Sequence, residues 1–144
     1  MWHVKTFQEL TTDELYALLR TRSQVFIVEQ NSVYQDLDND DQSAIHLWKT
    51  DGDKIVAMAR VTPAGKHLEE NSIGRIITTE RGKGLGLEVV RKALEVAKER
   101  LGAKKIKIQA QQQAKGFYEK LGFVAISEPY MHEGLPHLDM IVEI

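Results

Sequence analysis

The chain has 144 residues, of which 42% are hydrophobic and 28% are charged, as is usual for one globular domain. It contains no cysteine, which excludes disulfides, thiolate metal sites and an enzyme-bound thioester. The formal net charge of −2 favours no nucleic-acid partner, and no apolar run approaches the roughly 20 residues of a membrane helix. We therefore expect one cytoplasmic domain, residues 1–144, without a membrane partner.

The first half of the chain predicts a strand, a helix and then antiparallel strands. The alternation in Trp2–Phe7 is typical of a short strand, and Thr11-Thr12-Asp13-Glu14 matches a capping box with Thr11 at the helix start. The apolar run 25–28 fits either the end of that helix or a buried segment, and the acidic residues 31–42 indicate a loop. Two further strands, joined by a hairpin turn at Asp51-Gly52, are expected over Ile45–Lys49 and Lys54–Val61.

The second half alternates strands and helices. Ser72–Thr79 is rich in β-branched residues and predicts a strand, while apolar positions at helical spacing predict a long helix from Leu85 to Leu101, ended by Gly102. The remaining expected elements are a strand over Lys104–Ala110, a short helix over Gln113–Leu121, and strands over Phe123–Ser127 and His137–Ile144. The order predicts an α/β fold with a mixed sheet and a central βαβ unit.

A glycine-rich loop, Arg81-Gly82-Lys83-Gly84-Leu85-Gly86, lies between the predicted strand and the long helix. Glycines leave room for an anion to approach backbone N–H groups, and the helix N-terminus favours negative charge. The loop lacks the Ser or Thr that follows Gly-Lys in a P-loop, and its spacing does not match the dinucleotide pattern Gly-x-Gly-x-x-Gly. The glycine-rich loop is therefore either a pyrophosphate-binding loop of another class or a turn that only begins the helix.

A second motif, Phe117-Tyr118-Glu119-Lys120-Leu121-Gly122-Phe123, follows one strand after that helix. Together, and in this order, the two motifs resemble those of the GNAT superfamily of N-acetyltransferases. Four further segments, residues 25–30, 45–47, 73–76 and 134–140, resemble the ElaA-like branch of that family. The resemblance implies a GNAT-type α+β fold, with a mostly antiparallel central sheet and helices on both faces. It also implies an acetyl-CoA-dependent N-acetyltransferase that acts without a metal.

The family resemblance also implies where acetyl-CoA would bind. A backbone N–H in the segment 76–78, with Ile77 as the best single candidate, would stabilise the oxyanion of the tetrahedral intermediate. The short stretch between the strand and the loop leaves open which strand residue faces the thioester. The expected contacts of the cofactor are Ile76, Ile77, Thr78, Arg81, Gly82, Lys83, Gly84, Leu85, Gly86, Gln111, Phe117 and Tyr118.

Tyr118 is implied as the general acid toward the departing thiolate, with packing of its ring as the alternative role. The acceptor ammonium must also lose a proton, for which Glu29, His46 and His137 are the candidate bases. Arg75 is expected either to line the acceptor site or to pair with a carboxylate.

Two questions stay open at this stage. The acidic loop, with Asp38 and Asp41, is either solvated or attracts a cationic amine. A non-catalytic acyl-CoA sensor and a nucleotide-binding protein of another class are the rival functions, and the spacing of the glycine loop counts against the second. The acceptor, a small molecule or a peptide amine, is not determined, and a homodimer is the assembly to be tested.

Overall fold

The computed structural model describes all 144 residues and contains one eight-stranded sheet. The strands are β1 (Trp2–Thr6), β2 (Ile45–Asp51), β3 (Lys54–Thr62), β4 (Ser72–Thr78), β5 (Lys105–Gln111), β6 (Val124–Ala125), β7 (Tyr130–His132) and β8 (Leu135–Glu143). The α-helices are α1 (Thr12–Arg22), α2 (Leu85–Leu101) and α3 (Lys115–Lys120). No helix is both long enough and apolar enough to cross a membrane.

Local signals set the helix ends that the sequence predicts. Thr11 Oγ1 accepts a hydrogen bond from the Glu14 N–H at 3.1 Å, and the Glu14 carboxylate accepts one from the Thr11 N–H at 2.9 Å. This is the expected capping box. Helix α2 begins after Gly84 and ends before Gly102, both in the left-handed conformation, with φ of 69° and 61°.

The sheet order is β1-β2-β3-β4-β5-β8-β6, with β7 paired to β8. All neighbours are antiparallel except β4 and β5, which run parallel and pair only at Ser72 and Lys107. Beyond that point no β4 residue pairs with β5. This opening in the middle of the sheet creates the candidate site.

The core has one part on each face of the sheet, which confirms the expected placement of helices on both faces. Alternate residues of the strands point to opposite faces. Leu47 and Ala57 belong to a large cluster with residues of α2, whereas Trp48, Met58 and Leu18 of α1 form a smaller cluster on the other face. The two helices therefore stabilise the sheet from opposite sides.

The structure resolves or changes some local predictions. The ambiguous run 25–28 lies in a π-helical segment, Ser23–Glu29, which continues α1. The predicted helix 113–121 is divided into a 3₁₀ turn, Gln112–Ala114, and α3. The predicted strand 123–127 is shortened to the two residues of β6. Strand β7 was not predicted, because its three residues are too few to give a sequence pattern.

The sequence left open whether the acidic loop is solvated or attracts a cationic amine, and in the structure three of its carboxylates are paired within the fold. Asp36 and Asp41 are buried, and Asp38 is partly buried. Their carboxylates face three guanidinium groups, and we call the six residues the arginine–aspartate cluster: Arg22, Arg60, Arg75, Asp36, Asp38 and Asp41. The cluster fixes the loop to α1, β3 and β4.

Within the arginine–aspartate cluster, hydrogen bonds are short and mostly charge-assisted. Arg22 donates to Asp36 Oδ2 at 2.9 Å and to Asp41 Oδ1 at 2.7 Å. Arg60 donates to both carboxylate oxygens of Asp38 and to Asp41 Oδ1, each at 2.9 Å. Burial alone would raise the pKa of Asp38, but the hydrogen bonds and charge of Arg60 outweigh it and hold that pKa well below its usual range.

Candidate active site

The first feature of the site is a cavity of about 210 Å³ in the opening between β4 and β5. We call it the gap cavity. The β4 residues in its wall are 73–76, and the β5 residues are 108–111. Its other residues are Phe26, Tyr34, Ala114, Tyr118 and Glu133. Hydrophobic residues are the larger part of this lining, which also contains one carboxylate, one guanidinium and two phenols.

A β-bulge shapes the β4 wall of the gap cavity. Met58 pairs with Ile77 and Arg60 with Gly74, so Ala59 alone faces both Arg75 and Ile76. Arg75 has φ of 51°, a conformation that is strained for a residue with a side chain. The bulge re-aims the strand at the point where it parts from β5.

The structure does not favour Ile77 as the source of the oxyanion N–H. The Thr79 N–H donates to Val56 O of β3 at 3.0 Å. Because N–H directions alternate along a strand, the Ile77 N–H also points toward β3, while those of Ile76 and Thr78 point toward the opening. Ile77 is buried in the smaller core cluster, whereas Ile76 lines the gap cavity.

The glycine loop lies at the end of β4 and leads into α2, as expected. Gly82 and Gly84 have φ of 75° and 69°, and a Cβ atom on either residue would meet no heavy atom within 4 Å. The backbone is thus curved and open on its outer side, and the N-terminus of a 17-residue helix adjoins it. The Lys83 ammonium is paired with Glu80 at 2.6 Å, while Arg81 is exposed and has no ion-pair partner.

The two sequence motifs meet in the structure through Gly86 and Phe117. A Cβ atom on Gly86 would lie 3.4 Å from Cζ of Phe117, which places this ring in contact with the first turn of helix α2. The Phe117 ring packs edge-on against Tyr118, with their centroids 5.2 Å apart. The loop and α3 therefore form one continuous surface.

A second cavity, of about 750 Å³, lies beside the glycine loop and is called the loop cavity. Among its lining residues are Glu29 of the π-helical segment, Thr78, Thr79, Arg81 and Gln113. Most of its lining residues are polar, and its volume falls within the usual range for a ligand site. Glu29 is exposed there and is not among the residues that line the gap cavity.

Tyr118 lines the gap cavity with only 9% of its surface exposed. Its ring packs edge-on against Phe117 and Phe123, at centroid distances of 5.2 and 5.5 Å. Burial raises the pKa of Tyr118 to about 12, which keeps the phenol protonated at neutral pH. The side chain can therefore donate a hydrogen bond within the cavity.

His46 does not reach the gap cavity. It lies on the α1 face of the sheet, is buried, and its Nε2 atom is 2.9 Å from Asp41 O beside the arginine–aspartate cluster. Its contact is with the backbone of the acidic loop, and this location indicates a structural role. Burial lowers the pKa of His46, with the guanidinium groups of Arg22 and Arg60 adding to the effect.

The lowered pKa of His46 predicts how stability depends on pH. The unfolded chain gains a proton on this residue near pH 6.5, whereas the folded chain gains it only at a lower pH. The free energy of unfolding should therefore fall as pH drops below about 6.5, by at most about 1.4 kcal/mol per pH unit for this residue. Urea unfolding of the wild type and His46→Gln between pH 7.5 and 5 measures the effect. Equal slopes in the two proteins would contradict it.

His137 contacts residues of the β7–β8 hairpin. Its Nδ1 atom is 2.9 Å from Leu135 O, and its ring lies 5.1 Å from that of His132. His132 in turn has Nε2 at 3.5 Å from Glu133 Oε1. Glu133 lines the gap cavity and lies 3.8 Å from Arg75 Nη2.

Two arginines near the site carry a signal in the sequence that predicts their pairing. Arg22 follows Leu18 by one helical turn on the buried side of α1, and Arg60 interrupts the apolar run of β3. A charge at a position predicted to be buried indicates a paired partner. For Tyr34 and Glu133 no comparable signal exists, because each lies in a polar segment.

Asp38, Asp40 and His67 are close enough together to hold a metal ion. However, Asp38 already binds Arg60 and Arg75, and Asp40 Oδ2 lies 2.6 Å from His67 Nδ1. Neighbouring guanidinium groups disfavour a cation at this place. These side chains are therefore assigned to ion pairs within the fold.

Comparisons with known proteins identify the family to which this chain belongs. A family model described as an acetyltransferase (GNAT) domain matches residues 8–144. The chain belongs to the GNAT acetyltransferase family. Protein ElaA of Escherichia coli strain K12 is 37% identical over 147 aligned residues, which cover 99% of this chain and 96% of ElaA. The predicted resemblance is thus confirmed, including the ElaA-like branch.

Solved structures of GNAT relatives show the same fold. A crystal structure of Escherichia coli ElaA matches with a TM-score of 0.92, at 37% identity and over 99% of both chains. An acyl-CoA N-acyltransferase from Pseudomonas aeruginosa matches with a TM-score of 0.91, at 32% identity and over 99% of both chains. The GNAT fold of this chain, with its mixed and mostly antiparallel sheet, is therefore shown, as is membership in an acyltransferase family.

Proposed function

We propose that the protein is an acetyl-CoA-dependent N-acetyltransferase that transfers the acetyl group directly to a primary amine. The observation that carries the proposal is the opening between β4 and β5, which has the glycine loop at the end of β4 and Tyr118 in its wall. The gap cavity, at about 210 Å³, is smaller than the ~300–1,000 Å³ of typical ligand pockets and suits a short acyl group.

The glycine loop and the loop cavity would hold the coenzyme A part of the donor. Backbone N–H groups at the α2 N-terminus and the exposed Arg81 suit a pyrophosphate, and the polar 750 Å³ cavity beside them suits the rest of the molecule. Phe117, with 38% of its surface exposed, offers an apolar contact next to Gly86. Gln111, at the end of β5, lines the gap cavity beside Tyr118.

Chemistry would occur in the gap cavity. The amine nitrogen attacks the thioester carbon, a C–N bond forms, and the developing oxyanion accepts a hydrogen bond from the N–H group of Ile76. The C–S bond then breaks and Tyr118 donates to the departing sulfur. No enzyme-bound thioester is needed, which agrees with the absence of cysteine. We also propose a cytoplasmic location and no metal requirement.

The pKa of Tyr118 places a constraint on this mechanism. With a phenol pKa of about 12 and a thiol pKa near ~8.5, complete transfer of the phenol proton to the thiolate is uphill by about 5 kcal/mol. The step becomes favourable if the intermediate's cationic nitrogen gives its proton to the tyrosine oxygen as the sulfur receives one. Tyr118 would then end the reaction as a neutral phenol.

Replacing Gly84 by glutamate is expected to abolish acetyl-CoA binding. A side chain at Gly84 has free space, so the fold tolerates it apart from strain at φ of 69°, of about 1–3 kcal/mol. The new carboxylate would repel the pyrophosphate at the helix N-terminus. Isothermal titration with acetyl-CoA measures the loss.

Two matched variants control the Gly84→Glu experiment. Gly84→Ala introduces the same backbone strain without the charge, and Gly102→Glu places the same charge at φ of 61° at the other end of α2. Gly102→Glu should bind acetyl-CoA as the wild type does, and Gly84→Ala should retain most of the affinity. Unchanged affinity in Gly84→Glu would refute the assignment of the loop. Binding by the wild type without turnover of any amine would favour the rival acyl-CoA sensor.

A further inference from the structure

The β7–β8 hairpin places a carboxylate in the wall of the gap cavity. His132 pairs with Leu135, so the turn contains only Glu133 and Gly134, with φ of 54° and 80°. Positive φ at both positions is the pattern of a type I′ turn, in which Asn or Gly is usual and glutamate is strained. Strain of this kind is often retained at functional sites.

Glu133 is the only carboxylate among the residues that line the gap cavity. The guanidinium of Arg75 lies 3.8 Å from it but is shared with Asp36 and Asp38. Three arginines and three aspartates balance one another in the arginine–aspartate cluster, so the charge of Glu133 is left over. Because Asp36 and Asp38 already pair with Arg75, the Glu133 carboxylate in the wall remains able to pair with a cationic acceptor.

A proton acceptor contacts this carboxylate on the side of the hairpin. His132 Nε2 lies 3.5 Å from Glu133 Oε1, and 35% of the His132 side chain is exposed to solvent. The groups that face the pair are Arg75 of β4, Tyr34 and Asp36 of the acidic loop, His67, Tyr130 of β7 and His137 of β8. Burial lowers the pKa of His132, so its imidazole is neutral at pH 7 and able to accept a proton.

We infer that Glu133 binds the ammonium group of the acceptor and removes its first proton, which His132 then carries to solvent. The inference rests on the proposed acetyltransferase function and adds the base that the function requires. In the first step R–NH₃⁺ gives a proton to the carboxylate and becomes R–NH₂. In the second, the carboxylic acid gives that proton to the imidazole, which releases it to water.

The reaction releases one proton for each amide that forms. The neutral amine attacks the thioester, the C–N bond forms and the C–S bond breaks. The second nitrogen proton passes through Tyr118 to the sulfur, so the products are an amide, a thiol and the one proton that left through Glu133 and His132. Of the bases proposed from the sequence, His137 contacts this pair through the His132 ring, whereas Glu29 and His46 lie outside the gap cavity.

The test is the pH dependence of turnover in Glu133→Gln. With acetyl-CoA and one of spermidine, lysine amide or a short peptide amine, kcat/KM at pH 7 should fall by about 10²-fold. The variant should approach the wild-type rate toward pH 10, where the free amine no longer needs a base. The dissociation constant of acetyl-CoA should be unchanged.

Controls separate the chemistry from folding. Glu128→Gln removes an exposed carboxylate outside the cavity and should behave as the wild type. Glu133→Gly relieves the strain of the turn, so a folded Glu133→Gly that is also slow would show that the carboxylate matters. Loss of rate at all pH values, or an equal rate in Glu133→Gln and the wild type, would overturn the inference. A loss confined to Glu29→Gln would assign the base to Glu29 and would also overturn it.

A second measurement does not depend on turnover. Because the charge of Glu133 raises the pKa of His132, Glu133→Gln should shift the His132 titration, followed by NMR, to lower pH. An unmoved titration would refute the relay whatever the kinetics show. If the wild type acetylates no amine, the proposed function fails, and the NMR result still decides whether Glu133 and His132 act as a pair.

Discussion

Replacing Tyr118 by phenylalanine is expected to lower kcat by about 10²-fold or more, because the departing sulfur loses its hydrogen-bond donor. Affinity for acetyl-CoA should change by less than about twofold, since the ring still packs against Phe117 and Phe123. Steady-state kinetics together with titration of acetyl-CoA separate the two quantities.

Two other tyrosines make this experiment decisive. Tyr34 also lines the gap cavity, and burial together with the charge of Glu133 raises its pKa to about 12, so it could donate in place of Tyr118. Tyr16 is 73% exposed, and Tyr16→Phe provides the control. A large loss in Tyr34→Phe with normal turnover in Tyr118→Phe would transfer the role to Tyr34. Normal turnover in both variants would mean that neither phenol acts as the acid.

Replacing Arg60 by alanine should lower the free energy of unfolding by about 3 kcal/mol or more. Arg60 is 2% exposed, and its removal leaves the carboxylates of Asp38 and Asp41 buried with fewer partners. Typical domains have only about 5–15 kcal/mol of stability, so the loss would be a large fraction. Urea unfolding, read from the midpoint at constant slope, measures it.

The surface pair Lys92–Glu95, with a 3.6 Å separation, provides the comparison. Lys92→Ala should change stability by less than about 0.5 kcal/mol, because exposed ion pairs contribute little. Adding Asp38→Asn to Arg60→Ala should recover part of the loss by removing an uncompensated charge. A loss below about 1 kcal/mol in Arg60→Ala would contradict the role given to the arginine–aspartate cluster.

The arginine–aspartate cluster also connects stability to the geometry of the site. Arg75 Nη2 donates to Asp36 O at 2.9 Å, and Arg75 Nε lies 2.9 Å from Asp36 Oδ1 without the alignment of a hydrogen bond. The acidic loop thereby holds the bulged residue of β4, beside the Ile76 N–H that would receive the oxyanion. The same ion pairs that stabilise the fold therefore support the wall of the gap cavity.

The sequence by itself determined the elements whose signals are local. The capping box at Thr11, the glycine that ends α2 and the Asp51-Gly52 turn before β3 each depend on residues within a few positions, so the limits of these elements were predicted to within one or two residues. The glycine loop and the Tyr118 motif depend on composition at fixed spacing, and their order along the chain predicted the family.

Only the tertiary structure decided what surrounds the reacting atoms. The parting of β4 from β5, the bulge at Arg75 and the pairing of Arg22 and Arg60 with the acidic loop depend on contacts between distant segments. The same holds for Glu133, which reaches the gap cavity because the β7–β8 hairpin folds toward β4. Local patterns specify strands and helices. Which charged side chains share a cavity depends on how those elements pack, and no spacing along the chain encodes that packing.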